Sequence, residues 1–172
     1  LPVPPRTIEC YDISNISGTL AVGSMVCAED GLPRRSRYRL FRIRTVEGSD
    51  DPAMMAEVIR RRFARAAQAG WAPPDMVLVD GGLTQLRAAR AELDRLGLAS
   101  VATAGLAKQL EQIHCGPAGA ERVLTLPRDT PALLVLRALR DEAHRFALTY
   151  HRRLRAERMR ESVLDEIEGV GE

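Results

Sequence analysis

The sequence predicts an α/β fold in which helices flank a mixed sheet. Three observations point there: closely spaced strand and turn signals from Thr7 to Arg44, then apolar runs of strand length alternating with amphipathic stretches of helical period, then one long helix opening at Thr130-Pro131. A chain of 172 residues suits one such domain, burying roughly 70% of the surface that its unfolded form would expose.

From Thr7 the chain reads TIECYDIS, breaks at Gly18, and continues as TLAVGSMVCAED. Asp30-Gly31 is a hairpin signal, and RSRYRLFRIR follows as a third strand. There arginine alternates with Ser36, Tyr38 and Leu40 until Phe41 and Ile43 take up the other phase, a slip that predicts a bulge. Met54, Met55, Val58, Ile59, Phe63 and Ala66 recur at helical spacing over residues 52–69, with Pro52 in the first turn. Met76 to Val79 is a short apolar strand closing on Asp80, after which Gly81-Gly82 leads into an amphipathic helix from Thr84 to Leu96. Val101 to Ala107 is a further strand, residues 108–120 an irregular excursion, and Arg122 to Leu126 a short strand. The last helix takes Thr130 as N-cap and Pro131 as its first residue. At about 100° per residue, Leu136, Leu139, Ala143, Phe146, Ala147, Tyr150 and Leu154 form its apolar arc, and Arg137, Arg140, Asp141, His144 and His151 form its flank.

Composition excludes several classes of function. The chain is 45% hydrophobic and 28% charged, with no apolar run near the roughly 18 residues of a membrane span and no signal peptide. Cys10, Cys27 and Cys115 are far apart and never form a CxxC pair, so neither a disulfide framework nor a thiolate zinc site is implied, and a reducing cytoplasm fits. The net charge of +2 hides an uneven distribution. Arg34, Arg35, Arg37, Arg39, Arg42 and Arg44 crowd one segment, and eight more arginines fall between Arg137 and Arg160. Such stripes suggest a phosphate-facing surface; the plain alternative is a solvated face.

Asp12 sits in a strand among Ile8, Cys10 and Ile13, where a charge is costly unless offset. Asp80 ends an equally apolar strand. The order of elements matches a ribonuclease H-like sheet, in which the first strand and the strand after the first helix lie side by side and make the two carboxylates neighbours. Two such groups repel, so one holds a proton or a cation lies between them. Oxygen donors without a thiolate pair favour Mg²⁺ or Mn²⁺. His144, at the border of core and solvent, is then a third ligand or the base that takes a proton from an attacking water. Singly, an Asp before Gly-Gly is equally a turn or a helix cap, and a histidine on a helix flank is commonly structural.

The motifs ECYDIS, GSDDPAMM, VLVDGG, GLAK, TPALL and RDEAHRFA, in that order, resemble the C-terminal endonuclease domain of the UvrC subunit of the bacterial excision-repair nuclease. The resemblance runs from about Pro5 to Gly171. It implies a ribonuclease H-like domain that incises damaged duplex DNA on the 5′ side of a lesion, working on a UvrB–DNA complex through the full-length protein. It also implies a metal-binding catalytic triad, which falls on Asp12, Asp80 and His144, with Asp51 as a supporting acid. Residues 1–160 would be the nuclease domain, and 161–172 a linker with the truncated start of a helix-hairpin-helix region. Asn15, Ser49, Pro52 and Leu83-Thr84 depart from the family's common pattern without touching the triad. Lys108, the one lysine among 25 basic residues, is expected to meet a phosphate, as are Arg137, Arg140, Arg152 and Arg153, whereas His151 reads as structural or a phosphate contact rather than catalytic. No membrane and no small-molecule substrate are expected. A catalytically silent binding module on the same fold is the alternative. A nucleotide phosphate on the Gly81-Gly82 turn is a weaker one, since neither GxxxxGK[ST] nor GxGxxG occurs.

Overall fold

Alternation and turn chemistry build the centre of the sheet. In the computed structural model, which describes residues 3–16, 20–107 and 112–165, with side chains through 153 except at 16 and 20, β1 (Thr7–Ile16) pairs antiparallel with β2 (Leu20–Glu29) along its whole length. Asp30 and Gly31 both take positive φ, 49° and 78°, as the tight turn into β3 (Leu32–Pro33) requires. The expected long third strand is interrupted. Arg35–Arg37 close a single 3₁₀ turn, and pairing with β2 resumes only in β4 (Arg39–Arg42). Pairing with β2 is unbroken from Arg39 to Arg42, so the change of phase between Leu40 and Phe41 is not a bulge: the two lie on opposite faces of one regular strand, and Phe41 and Ile43 pack into the layer under α1.

Helix α1 (Asp51–Gln68) is capped by Asp50, whose carboxylate accepts from the Ala53 N–H at 3.0 Å. Then come β5 (Met76–Asp80), α2 (Leu83–Arg95) and β6 (Ala102–Leu106). β5 pairs in parallel with both β1 and β6, as strands joined by crossover helices must. The excursion after β6 contains a strand the sequence did not signal, β7 (Ile113–Cys115), which pairs with β6 and with β8 (Arg122–Leu124). The sheet order is β3-β2-β1-β5-β6-β7-β8, with β4 also on β2.

Two apolar layers hold the sheet between helices. On one face Tyr11, Met25, Val77 and Val79 pack against Met55, Val58, Ile59 and Phe63 of α1 and Ala89 and Leu93 of α2. On the other, Cys10, Val26, Leu78 and Leu106 pack against Leu133, Leu136, Leu139 and Ala143 of α3 (Pro131–Asp165). The Thr130 carbonyl accepts the Leu134 N–H at 3.0 Å, the first bond of that helix. α3 runs across the expected domain boundary at 160. No described helix is long and apolar enough to cross a membrane.

Candidate metal centre

Strand parity decides which side chains meet beneath α3. Ile8, Cys10 and Asp12 share one face of β1, and Met76, Leu78 and Asp80 share the same face of β5. The parallel register sets Cys10 beside Leu78 and Tyr11 beside Val79, so one further residue brings Asp12 to Asp80. α3 covers this face with Ala143 fully buried, which leaves the next residue, His144, at the edge. Its Nδ1 lies 3.1 Å from Asp12 Oδ2. One donor atom from each of Asp12, Asp80 and His144 lies within 4.8 Å of the others, the one such group among the described residues. Asp12 and Asp80 are 3% and 7% exposed, whereas the His144 side chain is 45% exposed. The cluster thus opens to solvent past the imidazole.

Two buried carboxylates this close disfavour each other's charge, and a divalent cation with a taste for oxygen would let both stay ionised. The donor set fits one: two carboxylates and an imidazole, with no thiolate. Burial, and then the charges of Asp80 and Asp12, push the nearby Cys10 thiol well above its ordinary value, so it contributes no thiolate. The Arg140 charge offsets part of that rise.

Ser24 escaped the sequence reading. It lies opposite Asp12 in the β1–β2 register, is fully buried, and donates its hydroxyl to the Ala143 carbonyl at 2.9 Å. Hairpin register alone would have placed it beside Asp12, but nothing local signals a bond to α3. The Gly81-Gly82 turn after Asp80 is backed by Gly105, where a Cβ would stand 2.9 Å from the Gly81 carbonyl oxygen and 3.4 Å from that of Gly82.

The other expected site residues scatter. Asp51 is outside the cluster; its carboxylate accepts from Asn15 Nδ2 at 2.9 Å, on the face of β1 that carries Tyr11 and Ile13 rather than Asp12. Arg140 stands one turn before His144 and donates to its neighbour Asp141 at 2.8 and 3.0 Å. Arg137 is half-buried, and Arg152 and Arg153 are exposed. His151, on the flank of the helical pattern, is 3% exposed, continuing the buried line of Ala143 and Ala147. That burial favours the structural reading over a phosphate contact there. Lys108 lies outside the described residues. In the first arginine stripe, Arg34 and Arg37 pair with Glu29 at 2.5 and 2.7 Å, and Arg37 also reaches Glu9 at 3.2 Å. Part of the stripe's charge is therefore answered within the fold.

The sequence profile of the family described as the UvrC RNase H endonuclease domain matches residues 1–148. The chain belongs to that family. The UvrABC system protein C of Pelodictyon phaeoclathratiforme is 48% identical over 172 residues, covering 100% of this chain and 27% of that protein. The protein of the same name from Methanococcoides burtonii is 50% identical over 167 residues, covering 97% and 28%. The chain thus spans less than a third of the length of these relatives. Among solved structures, Endonuclease V of Ciona intestinalis, in complex with a 23mer DNA containing an inosine followed by a ribo-adenosine, is similar at a TM-score of 0.44 and 20% identity, over 62% of this chain and 47% of that one. The family is described as having an RNase H fold, and in this chain two parallel strands of the mixed sheet, β1 and β5, with α3 over them, hold the acidic cluster.

Proposed function

We propose that this UvrC endonuclease domain is a divalent-metal-dependent DNA nuclease, using Mg²⁺ or Mn²⁺. On this reading it hydrolyses the phosphodiester on the 5′ side of a lesion in nucleotide excision repair and leaves a 3′-hydroxyl and a 5′-phosphate. It would do so in the cytoplasm, acting within the longer protein on a UvrB–DNA complex. One observation carries the reading: in a member of this family, donor atoms of Asp12, Asp80 and His144, from three separate elements, lie within 4.8 Å of one another.

Asp12 and Asp80 would hold the cation between β1 and β5. When bound, it supplies charge compensation for the carboxylates and Lewis acidity toward a phosphodiester. The tautomer decides the part of His144. If Nδ1 carries its proton toward Asp12, Nε2 keeps a lone pair and accepts a proton from water; if Nδ1 is bare, it is a third ligand. Asp51 acts from the opposite face of β1 by holding Asn15. Arg140 and the exposed arginines of α3 grip the DNA backbone, with Lys108 as a further phosphate contact.

The deciding experiment is a calorimetric Mn²⁺ titration of this chain beside Asp12→Asn and Asp80→Asn, with folding checked by circular dichroism, followed by nicking assays. Binding present in the parent and absent in both variants is expected; binding that survives both changes moves the metal elsewhere. Metal and DNA binding without nicking would establish the silent module instead. His144→Ala separates its two roles: a ligand's loss weakens Mn²⁺ binding, whereas a base's loss leaves binding intact and flattens the pH dependence of nicking.

A further inference from the structure

On the face of the sheet opposite the acidic cluster, a cleft of about 400 Å³ is lined by Arg37, Arg39, Arg62, Gly70, Trp71 and Ala72. Its electrostatics are lopsided. Glu9, fully buried, accepts from the Tyr11 hydroxyl and from Arg62 Nη2, both at 2.6 Å, and from Arg37 Nη2 at 3.2 Å. Glu29 is taken by Arg34 and Arg37. The described ion pairs here join three arginines, Arg34, Arg37 and Arg62, to two carboxylates, and Arg39 lines the cleft as a further cation. Arg39 spends its Nη1 on the carbonyls of Ser36 and Tyr38 instead of on an acid.

Arg62 is the telling member. It is 4% exposed, yet its Nε and Nη1 have no hydrogen-bond partner. Leaving charged donors buried and unmade is among the costlier defects a fold can carry. Its guanidinium carbon sits 5.5 Å from the Trp71 ring centre, and that of Arg39 sits 5.9 Å away. Attraction to an aromatic ring steadies a guanidinium without occupying its in-plane donors. The cleft therefore combines an excess of positive charge, unused N–H groups and an opening to solvent.

We propose that this cleft is a binding site for a phosphate-type oxyanion, gripped by Arg39, Arg62 and Arg37 beside Trp71. Free phosphate and the phosphodiester of a nucleic-acid strand offer the same chemistry, and the site is distinct from the Asp12–Asp80–His144 cluster. The inference rests on the cleft alone and does not need the nuclease reading.

Trp71 is the single tryptophan of the chain, so its fluorescence reports on this cleft directly. The chain is titrated with sodium phosphate at constant ionic strength in EDTA, which keeps the acidic cluster free of metal, and then with oligothymidylate in competition. A saturable change in Trp71 emission with phosphate is expected. Arg39→Gln, which removes no partner of Glu9, should raise the half-saturating concentration about tenfold or more; Arg62→Lys, which keeps a cation for Glu9, should do likewise. Oligothymidylate that displaces phosphate assigns a strand as the source, and failure to displace assigns the free ion. No phosphate response in the parent overturns the proposal, and so does an unchanged titration in Arg39→Gln. A response to oligothymidylate without one to phosphate overturns it too, since bases stacking on Trp71 would then be the cause.

Discussion

The buried hydroxyl of Ser24 donates to the Ala143 carbonyl at 2.9 Å, tying β2 to α3 at the residue before His144 and directly across the β1–β2 ladder from Asp12. One bond thereby fixes the depth of the helix over the strand that carries the first carboxylate. Ser24→Ala removes the tie while leaving all three donors in place. Its expected cost in stability is about 1 kcal/mol, and its expected effect on Mn²⁺ affinity is about tenfold, the usual reach of a group that orients a ligand. Denaturant unfolding beside a Mn²⁺ titration checks both; a loss of stability with unaltered affinity would mean that His144 is placed without help from Ser24.

The carboxylate pair of the acidic cluster couples metal binding to stability. Asp80→Asn removes one of two buried carboxylates whose donor atoms lie within 4.8 Å, and with it one donor for a cation. Saturating Mn²⁺ should therefore stabilise the parent more than the variant, by about 1–3 kcal/mol. Thermal unfolding of both proteins with and without the metal reads this difference. An equal gain in the two would place the ion elsewhere.

The parts of the site that were legible in the sequence are those that depend on local pattern. Apolar β1 and β5 announce that Asp12 and Asp80 are misplaced charges, and the order of elements makes them neighbours. Asp30-Gly31 announces its turn because two successive residues need positive φ. What could not be read has physical reasons. β7 is three residues long, Ile113-His114-Cys115, too short for any period to register. The arginine-rich segment reads equally well as strand or turn, so the 3₁₀ turn at Arg35–Arg37 leaves no trace in its alternation. His151 was placed on the flank because an imidazole counts as polar, although it stands four residues after Ala147 on the buried line. The bond from Ser24 to Ala143 joins residues 119 positions apart, and no local signal encodes it.

Glu57 organises the approach from β4 to α1. Only 1% exposed, it accepts from the Arg44 N–H at 3.0 Å, from the Thr45 N–H and hydroxyl at 2.9 and 2.7 Å, and from Arg61 at 2.8 Å. Burial alone would raise its carboxyl, but the bonds from Thr45, Arg61 and Arg44 outweigh it and hold the pKa below the ordinary 4.5. A depressed folded-state value means that the contribution to stability is complete above the unfolded value and is lost as pH falls through the folded one. Glu57→Gln should cost about 2–3 kcal/mol at neutral pH, and the difference from the parent should shrink on acidification below 4.5. Unfolding curves at descending pH test this; a gap independent of pH would assign the loss to packing.

Gly105 sets how closely β6 approaches the turn after Asp80. A methyl there meets the carbonyl oxygens of Gly81 and Gly82, which belong to backbone and cannot swing aside. Gly105→Ala is expected to cost about 1–3 kcal/mol and to weaken Mn²⁺ binding severalfold by displacing Asp80. Gly82→Ala is the control, since a Cβ at that position meets nothing within 4 Å, and its cost should stay below about 1 kcal/mol. Equal effects on Mn²⁺ affinity from the two substitutions would remove the close approach as the cause.

Salt dependence separates the arginines that face DNA from those answered within the fold. Each phosphate neutralised on a duplex contributes a slope of about −0.9 to log affinity against log salt. Arg152 is exposed on α3, so on the proposed function Arg152→Ala should flatten that slope by about one unit and weaken binding uniformly across sequences. Arg34 is already paired with Glu29 at 2.5 Å, so Arg34→Ala should leave the slope unchanged. Anisotropy titrations of a labelled duplex over a range of salt give both numbers. The reverse result, a slope lowered by about one unit in Arg34→Ala and unchanged in Arg152→Ala, would move the DNA path from α3 to the face that carries β4.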